Sequence, residues 1–294
     1  MKKIAIFGRQ YQEHSEGSLQ ALIEILSSNS FEVFLEQGYS ESIKTQSNLA
    51  LPDTFNVFTV LDSSYDLLIS IGGDGTILRA VTYVGDLSIP IIGINTGRLG
   101  FLATIQTDTI HNAFEQLLKG EYSISERSLL CIETDPPNAD LLELNYALNE
   151  IAVSRKNTTS MITVETRLNG EYLTSYWADG LIVSTPTGST GYSLSCGGPV
   201  IMPEATNLVL TPIAPHNLNA RPLVISDTTV IELRVSGRED DYLVSLDSRI
   251  ATLDNNTTVR IKKAPFTIKM IELKDESFLD TLRKKLLWGE DKRN

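Results

Sequence analysis

Two cysteines in 294 residues, Cys131 and Cys196, cannot build a disulfide framework or a zinc set, and a reducing compartment fits such sparse use of thiol. Histidine is nearly as scarce, with three in the chain and no two at metal-ligand spacing. His14 and His111 sit in polar helical surroundings and are expected at the surface, while His216 reads as a structural residue. There is no GxSxG elbow, no HExxH and no Gly-Lys pair, which removes α/β-hydrolases, zincins and Walker-type phosphate loops. No apolar run is long enough to span a bilayer, and the one in MKKIAIFGRQ is too short for a secretory signal, so a cytoplasmic location is expected. Positive charge is also short: 25 Lys and Arg against 37 Asp and Glu give a net charge of -12. That balance argues against a nucleic-acid or anionic-membrane surface. It leaves nucleotide ligands open, because their charge can be met by backbone N–H groups and Mg²⁺.

What the chain does have is concentrated in two stretches. The first is DLLISIGGDGTILRA, residues 66–80. A short continuous apolar run, 67–71, predicts a strand covered on both faces. Gly72, Gly73 and Gly75 follow at once, and a helical pattern begins at Thr76. Glycines let the backbone approach a ligand, and the helix N-terminus beyond them offers unpaired N–H groups, so phosphate is expected here at Gly72, Gly73, Gly75 and Thr76. Asp74 is the odd member. A carboxylate among phosphates points to proton transfer or metal chemistry rather than passive binding, the alternative being a helix N-cap. Arg79, one helical turn beyond Gly75, can reach a phosphate or lie solvated on the helix face. Gly73-x-Gly75 with Leu78 in the third position is only a fragment of a dinucleotide-binding fingerprint.

The second stretch is ADGLIVSTPTGSTGYSLSCGGPVIMP, residues 178–203. Between Asp179 and Glu204 it carries no charge at all, and closely spaced hydroxyls alternate with glycines. Uncharged hydroxyls and amides suit the polar edges of a base, an amide and a ribose; the alternative is a polar surface loop.

Organisation along the chain follows from periodicity. Strands at 3–7, 31–35, 67–71 and 89–94 alternate with helices at 17–26, 76–84 and 107–118, which implies a parallel sheet with ligands at the strand C-terminal ends. Residues 40–58 are polar and aperiodic and are expected to form a loop or insertion. From 123 the pattern becomes alternating strands, with Asn169-Gly170 a hairpin turn. A helix is expected at 278–288. The expected fold is an α/β domain with a parallel sheet (1–122), an all-β domain (123–274), and a C-terminal helix (275–294) packing back on the first domain.

GGDGT resembles the signature shared by NAD kinases, diacylglycerol-type lipid kinases and phosphofructokinases, whose two-domain architecture is then expected. The STPTGST-small-Tyr-GGP order, Asn149-Glu150 in LNEIAV, NTGRLGFLA at 95–103 and TPIAPHNLNARPLVI at 211–225 resemble the NAD kinase family in particular. That resemblance implies transfer of phosphate from ATP or polyphosphate to the adenosine 2′-hydroxyl of NAD, with a divalent cation, Mg²⁺, held mainly through the phosphates, and no metal-ligating side chains. It implies that Asp74 is the base and that Gly75 touches the same substrate. Asn149 and Glu150 would hold ribose hydroxyls, and Phe101 would stack on adenine. Thr190, Gly191, Tyr192, Ser193, Leu194 and Ser195 would line the base and nicotinamide pockets, and Arg79 and Asp247 would also contact NAD. Asp179 would reach the nicotinamide amide of a neighbouring subunit in a homodimer or homotetramer. Three positions depart from the family pattern: Gly191 for alanine, Arg249 for glutamine, and Trp177 for a basic residue. A lipid kinase and a non-catalytic NAD(H) sensor are the competing readings.

Overall fold

A computed structural model describes residues 1–157, 160–274 and 276–287. The chain divides into two compact units, 1–126 with 268–294, and 127–267. The sequence-based boundaries at 122 and 274 lie in or just beyond long strands, so no linker composition marks either division.

In the first unit β1 (Lys3–Gly8), α1 (Glu16–Ser27), β2 (Glu32–Glu36), α2 (Gln37–Gln46), β3 (Asn56–Phe58), β4 (Leu67–Ile71), α3 (Asp74–Val84), β5 (Ile91–Asn95), β6 (Ile105–Gln106) and α4 (Ile110–Lys119) follow in order. The strands lie in the order β3-β2-β1-β4-β5 and every one of these pairings is parallel. β1, β4 and β5 are almost wholly buried, because helices cover both faces of such a sheet and leave no exposed side for polar alternation. The core gathers Ile4, Ile6, Leu22, Leu35, Ile69, Ile92 and Phe114.

The expected loop at 40–58 is a correction. Its first part belongs to α2, and its end forms β3. The Glu36 side chain caps α2 by accepting from the Tyr39 N–H at 2.8 Å. The buried face of α2 is Tyr39, Ser40, Ser42 and Ile43, half of it serine, so no apolar stripe advertises the helix. Ser42 Oγ is used instead to accept the backbone N–H of Tyr11 at 2.9 Å.

The second unit begins within β7 (Tyr122–Asp135) and continues through β8 (Tyr146–Ala147), β9 (Glu150–Arg155), β10 (Ile162–Leu168), β11 (Glu171–Ala178) and β12 (Gly180–Ser184). A short helix α5 (Tyr192–Ser195) precedes β13 (Asn207–Ile213), β14 (Leu223–Ser226), β15 (Ile231–Ser236), β16 (Asp241–Leu246), β17 (Arg249–Asp254) and β18 (Thr258–Leu273). One sheet runs β14-β13-β12-β9-β16-β17, antiparallel throughout. Facing it, β11, β10, β15 and the first part of β18 pair antiparallel. Leu181, Val183, Tyr242 and Val244 from the first sheet meet Val164, Leu233, Val235 and Val259 from the second in one core. The β10–β11 hairpin turns at Asn169 and Gly170, with φ of 51° and 84°, the left-handed pair that a two-residue turn requires. Runs 259–262 and 267–273, expected as separate strands, are parts of the single strand β18.

From residue 268 the chain belongs to the first unit, where Met270 pairs with Ile91 of β5. It ends in α6 (Phe278–Leu286). Of the apolar residues expected to cover a neighbour, Leu282 is buried but Leu279 and Leu287 are exposed; Trp288 lies outside the described residues.

Candidate active site

In the first unit the glycine-rich turn joins β4 to α3. Gly72 has φ of 146°, and a Cβ there would fall 2.3 Å from Thr76 Oγ1, so only glycine fits. The N-cap of α3 is Gly73, and no side chain caps it. Added Cβ atoms at Gly73 and Gly75 would meet nothing within 4 Å, so both backbones face open space.

Asp74 is the first residue of α3 and does not serve as its cap. Its Oδ2 accepts the Phe101 N–H at 2.8 Å, and its Oδ1 accepts those of Leu102 and Ala103, each at 3.0 Å. A carboxylate offers about four acceptor positions, so one remains, on Oδ2. The donating loop is held by Asn95, whose amide binds the carbonyls of Arg98 and Ala103 and accepts from Gly97. Gly100 has to lack a side chain, since its Cβ would stand 1.9 Å from Asp74 Oδ1.

Two residues at this centre escaped sequence reasoning. Lys285 Nζ of α6 stands 3.8 Å from Asp74 Oδ2 and 4.7 Å from the centre of the Phe101 ring. Phe278 packs beside Phe101 with ring centres 6.1 Å apart. The helical pattern of the tail announced a helix, but nothing in it pointed to residue 74.

Beside the turn lies a cavity of about 820 Å³, lined by Gly72, Gly73, Gly75, Thr76, Arg79, Arg9 and Arg98 among others. Among the described residues no group of three or more His, Cys, Asp or Glu converges as a metal cage. Backbone amides and arginines suit phosphate, and a hard cation carried on phosphate oxygens and water fits this donor set.

The second unit holds the other residues named from the sequence. Asn149 immediately precedes β9 and Glu150 opens it. Asp247, with φ of 52°, points its carboxylate at this strand end and accepts the N–H groups of Leu148, Asn149 and Glu150 at 3.0, 2.8 and 3.2 Å. Asp247 therefore organises the Asn149-Glu150 corner. Adjacent strand residues ordinarily face opposite ways. Here a Cβ on Gly191 would lie 3.1 Å from Glu150 Oε2 and 3.3 Å from Asn149 Nδ2, so both side chains converge on that glycine. Asn149 Oδ1 and Glu150 Oε2 are buried and have no hydrogen-bond partner. Unpaired buried acceptors are costly and are kept where function, a water or an ion uses them. The Glu150 carboxyl is pushed up to about 8 by burial and by the nearby Asp247 charge, against the opposing hydrogen bond from the Tyr192 backbone. Burial also raises the Asp247 carboxyl, against its three amide donors.

The hydroxyl-rich stretch divides by burial. Ser193 is fully buried and paired with Thr211 at 2.8 Å; Ser184, Thr185 and Ser189 bond carbonyls of their own unit. Tyr192 and Ser195 are exposed, and Thr190, Gly191 and Leu194 half-buried, so these are the members open to a ligand. Asp179 pairs with Arg155 of its own chain at 2.9 Å. Arg249 donates to the carbonyls of Leu144 and Tyr146, an anchoring role that its sequence context did not suggest. Trp177 is exposed and packs edge-on against His216, ring centres 4.4 Å apart.

Residues 4–122 match the model of the ATP-NAD kinase N-terminal domain and residues 148–273 that of the ATP-NAD kinase C-terminal domain. An NAD kinase of Christiangramia forsetii is 59% identical over 293 residues, 99% of this chain and 100% of that protein. An NAD kinase of Flavobacterium psychrophilum is 56% identical over 295 residues, with the same shares covered. Among solved structures, yeast NADH kinase complexed with NADH superposes with a TM-score of 0.85 at 23% identity, over 99% of this chain and 89% of that one. An NAD kinase from Archaeoglobus fulgidus in complex with ATP gives 0.73 at 25% identity, over 97% and 98%. Neither a lipid kinase nor a non-catalytic sensor finds support among these relatives. With two domain models matching and relatives more than half identical along its whole length, the chain belongs to the NAD kinase family.

Proposed function

We propose that Asp74 is the base that activates the adenosine 2′-hydroxyl of NAD for attack on ATP. The observation that carries this reading is the fixed Asp74 carboxylate, held by three backbone N–H groups with one acceptor position left on Oδ2. Oδ2 takes the hydroxyl proton as the 2′-oxygen bonds to the terminal phosphorus. The bond from that phosphorus to the bridging oxygen breaks, and ADP leaves with the electron pair. The phosphates lie on the N–H groups of Gly73 and Gly75, with Arg79 as a cation beside them; the N–H groups of Gly72 and Thr76, also expected to hold phosphate, are spent on the carbonyls of Ile94 and Gly73, each at 2.9 Å. Mg²⁺, when bound to those phosphates, neutralises part of their charge. Phe101 offers a ring face to adenine.

In the second unit, Asn149 and Glu150 supply the unpaired acceptors for ribose hydroxyls, and Asp247 holds them in place. Thr190 to Ser195 form the uncharged wall for base and nicotinamide. Asp179 serves a neighbouring subunit of a homodimer or homotetramer. The exposed apolar side chains of Tyr172, Trp177, Leu218 and Ile250 on this unit are what such an interface would cover. Light scattering that finds a fully active monomer counts against this assembly. The architecture is that of the phosphofructokinase and diacylglycerol kinase group, the α/β unit taking phosphate and the β-rich unit taking NAD. Among the described residues no helix is long and apolar enough to cross a membrane, and a cytoplasmic enzyme is in keeping with two free cysteines.

The direct test is incubation with NAD, ATP and Mg²⁺, with product measured by an NADP-specific dehydrogenase. Absence of NADP removes the proposal.

A further inference from the structure

The cavity beside the glycine turn contains a feature that phosphate binding does not explain. Its wall includes Glu36, with Gly38, Tyr39 and Tyr83. A carboxylate is the wrong group for a phosphate, yet among the described residues Glu36 is in no ion pair. Its Oε2 accepts the Tyr39 N–H at 2.8 Å, and its Oε1 receives only a long contact of 3.5 Å from the Tyr83 hydroxyl. Acceptor capacity on Oε1 is therefore free.

Topology says what such a group can bind. The parallel order β3-β2-β1-β4-β5 reverses direction between β1 and β4, and ligands of open α/β sheets bind outside the strand ends at that reversal. Phe7 and Gly8, ending β1, and Ile71 and Gly72, at the end of β4, line the cavity there. Glu36 is the last residue of β2, the strand beside β1. In this class of fold an acidic group near the end of the second strand accepts a ribose hydroxyl. The ends of β2 and β4 are two strand spacings apart, roughly 10 Å, a gap that a triphosphate chain can bridge.

We propose that Glu36 is the specificity-determining residue for the phosphoryl donor, accepting a ribose hydroxyl of a nucleoside triphosphate and repelling inorganic polyphosphate. This rests on the donor role given above to the glycine turn. A ribose brings a hydroxyl donor and no charge to Glu36. A linear polyphosphate long enough to pass Glu36 brings another anion, and like charges in contact give discrimination by repulsion.

The test is equilibrium binding of ATP, 2′,3′-dideoxy-ATP and inorganic tetrapolyphosphate, whose fourth phosphate falls where the ribose would sit, to the full chain, followed by NADP formation with each. Wild type, Glu36→Gln and Glu36→Ala are compared. Glutamine keeps an oxygen for the Tyr39 N–H and so keeps the cap of α2, and its thermal midpoint serves as the folding control. Wild type is expected to bind dideoxy-ATP about tenfold or more weaker than ATP, the loss of a charged hydrogen bond. Glu36→Ala should lose ATP affinity by a similar factor and show no further loss with dideoxy-ATP. Tetrapolyphosphate should bind both variants several-fold tighter than wild type, and the KM for NAD should stay unchanged. Equal binding of ATP and dideoxy-ATP by wild type, losses that multiply in Glu36→Ala, or unchanged tetrapolyphosphate binding overturns the proposal. If Glu36→Ala does not fold, Glu36→Gln decides alone, because it removes the charge without the cap. The binding readout needs no turnover, so a failure to make NADP counts against the functional reading and leaves this one standing or falling by itself.

Discussion

The two units solve the same problem, holding a polar group ready for a ligand, in opposite ways. In the α/β unit the polar group is a side chain satisfied by backbone: three consecutive N–H groups pin Asp74, and the backbones of Gly73 and Gly75 on either side of it face open space. In the β-rich unit the backbone is satisfied by a side chain, Asp247, and the atoms left bare are the side-chain oxygens of Asn149 and Glu150. The first arrangement keeps a charged carboxylate fixed at a helix start, suited to moving a proton and holding anions. The second keeps neutral or proton-sharing acceptors in a dry corner, suited to hydroxyls and amides. The proton transfer and the recognition proposed for them would draw on different physics in different parts of one chain.

The sharpest way to break this contrast is Asp74→Asn. The amide keeps shape and one acceptor but cannot take a proton, so kcat should fall by about 10²–10⁴ while NAD affinity stays within a few-fold. Near-normal kcat in steady-state kinetics would mean that Asp74 only positions substrate. Gly100→Ala reaches the same carboxylate without touching it. Its Cβ would stand 1.9 Å from Asp74 Oδ1, so the 100–103 loop must shift and release its N–H groups. A misplacement of this size costs about tenfold to a hundredfold in kcat. An unchanged kcat in that variant would remove the importance of the amide cradle.

Glu150 sharpens the contrast from the other side, through pH. Its carboxyl is raised from the usual carboxylate range to about 8, so in the folded protein it keeps a proton that the unfolded chain has already lost. Stability present at acid pH is then lost as pH rises towards about 8, by a few kcal/mol in total. Denaturant unfolding across that window should show a steeper decline in wild type than in Glu150→Gln, where only the raised Asp247 carboxyl is left to lose its proton. Equal slopes would place Glu150 in a wetter site than the corner described. The smallest effect is expected for Gly191→Ala. The new methyl would lie 3.1 Å from Glu150 Oε2 and 3.2 Å from the Gly188 carbonyl, contacts relieved by shifts of a few tenths of an ångström. NAD KM should change by less than about threefold, below 1 kcal/mol. A larger rise would show that the free space at Gly191 is used by the ligand.

Much of the first unit was legible because its signals are local. An apolar run of strand length, glycines directly after it and a helical pattern define β4, its turn and α3 within 18 residues of chain, 67–84. Asn169-Gly170 is local in the same sense. α2 was not legible, because it is held by a cap from Glu36 and by buried hydroxyls rather than by an apolar stripe. Nor was the fate of the hydroxyls at 184–193, which the sequence presents as one uniform set. Burial assigns Ser184, Thr185, Ser189 and Ser193 to internal bonds and leaves Tyr192 and Ser195 outside.

By itself, the sequence determined the family, the strand–turn–helix that carries Asp74, and the change from alternating helices and strands to strands alone. Each depends on neighbours within a few residues, where propensity and spacing act directly. Only the tertiary structure decided how Asp74 is held, since its amide partners lie 27 to 29 residues away and Lys285 comes from the far end of the chain. The same holds for the Asp247 clasp on residues 148–150 and for Glu36 in the cavity wall. Hydrogen bonds and burial depend on where side chains meet in space, and one-dimensional spacing carries no record of contacts made across a folded core.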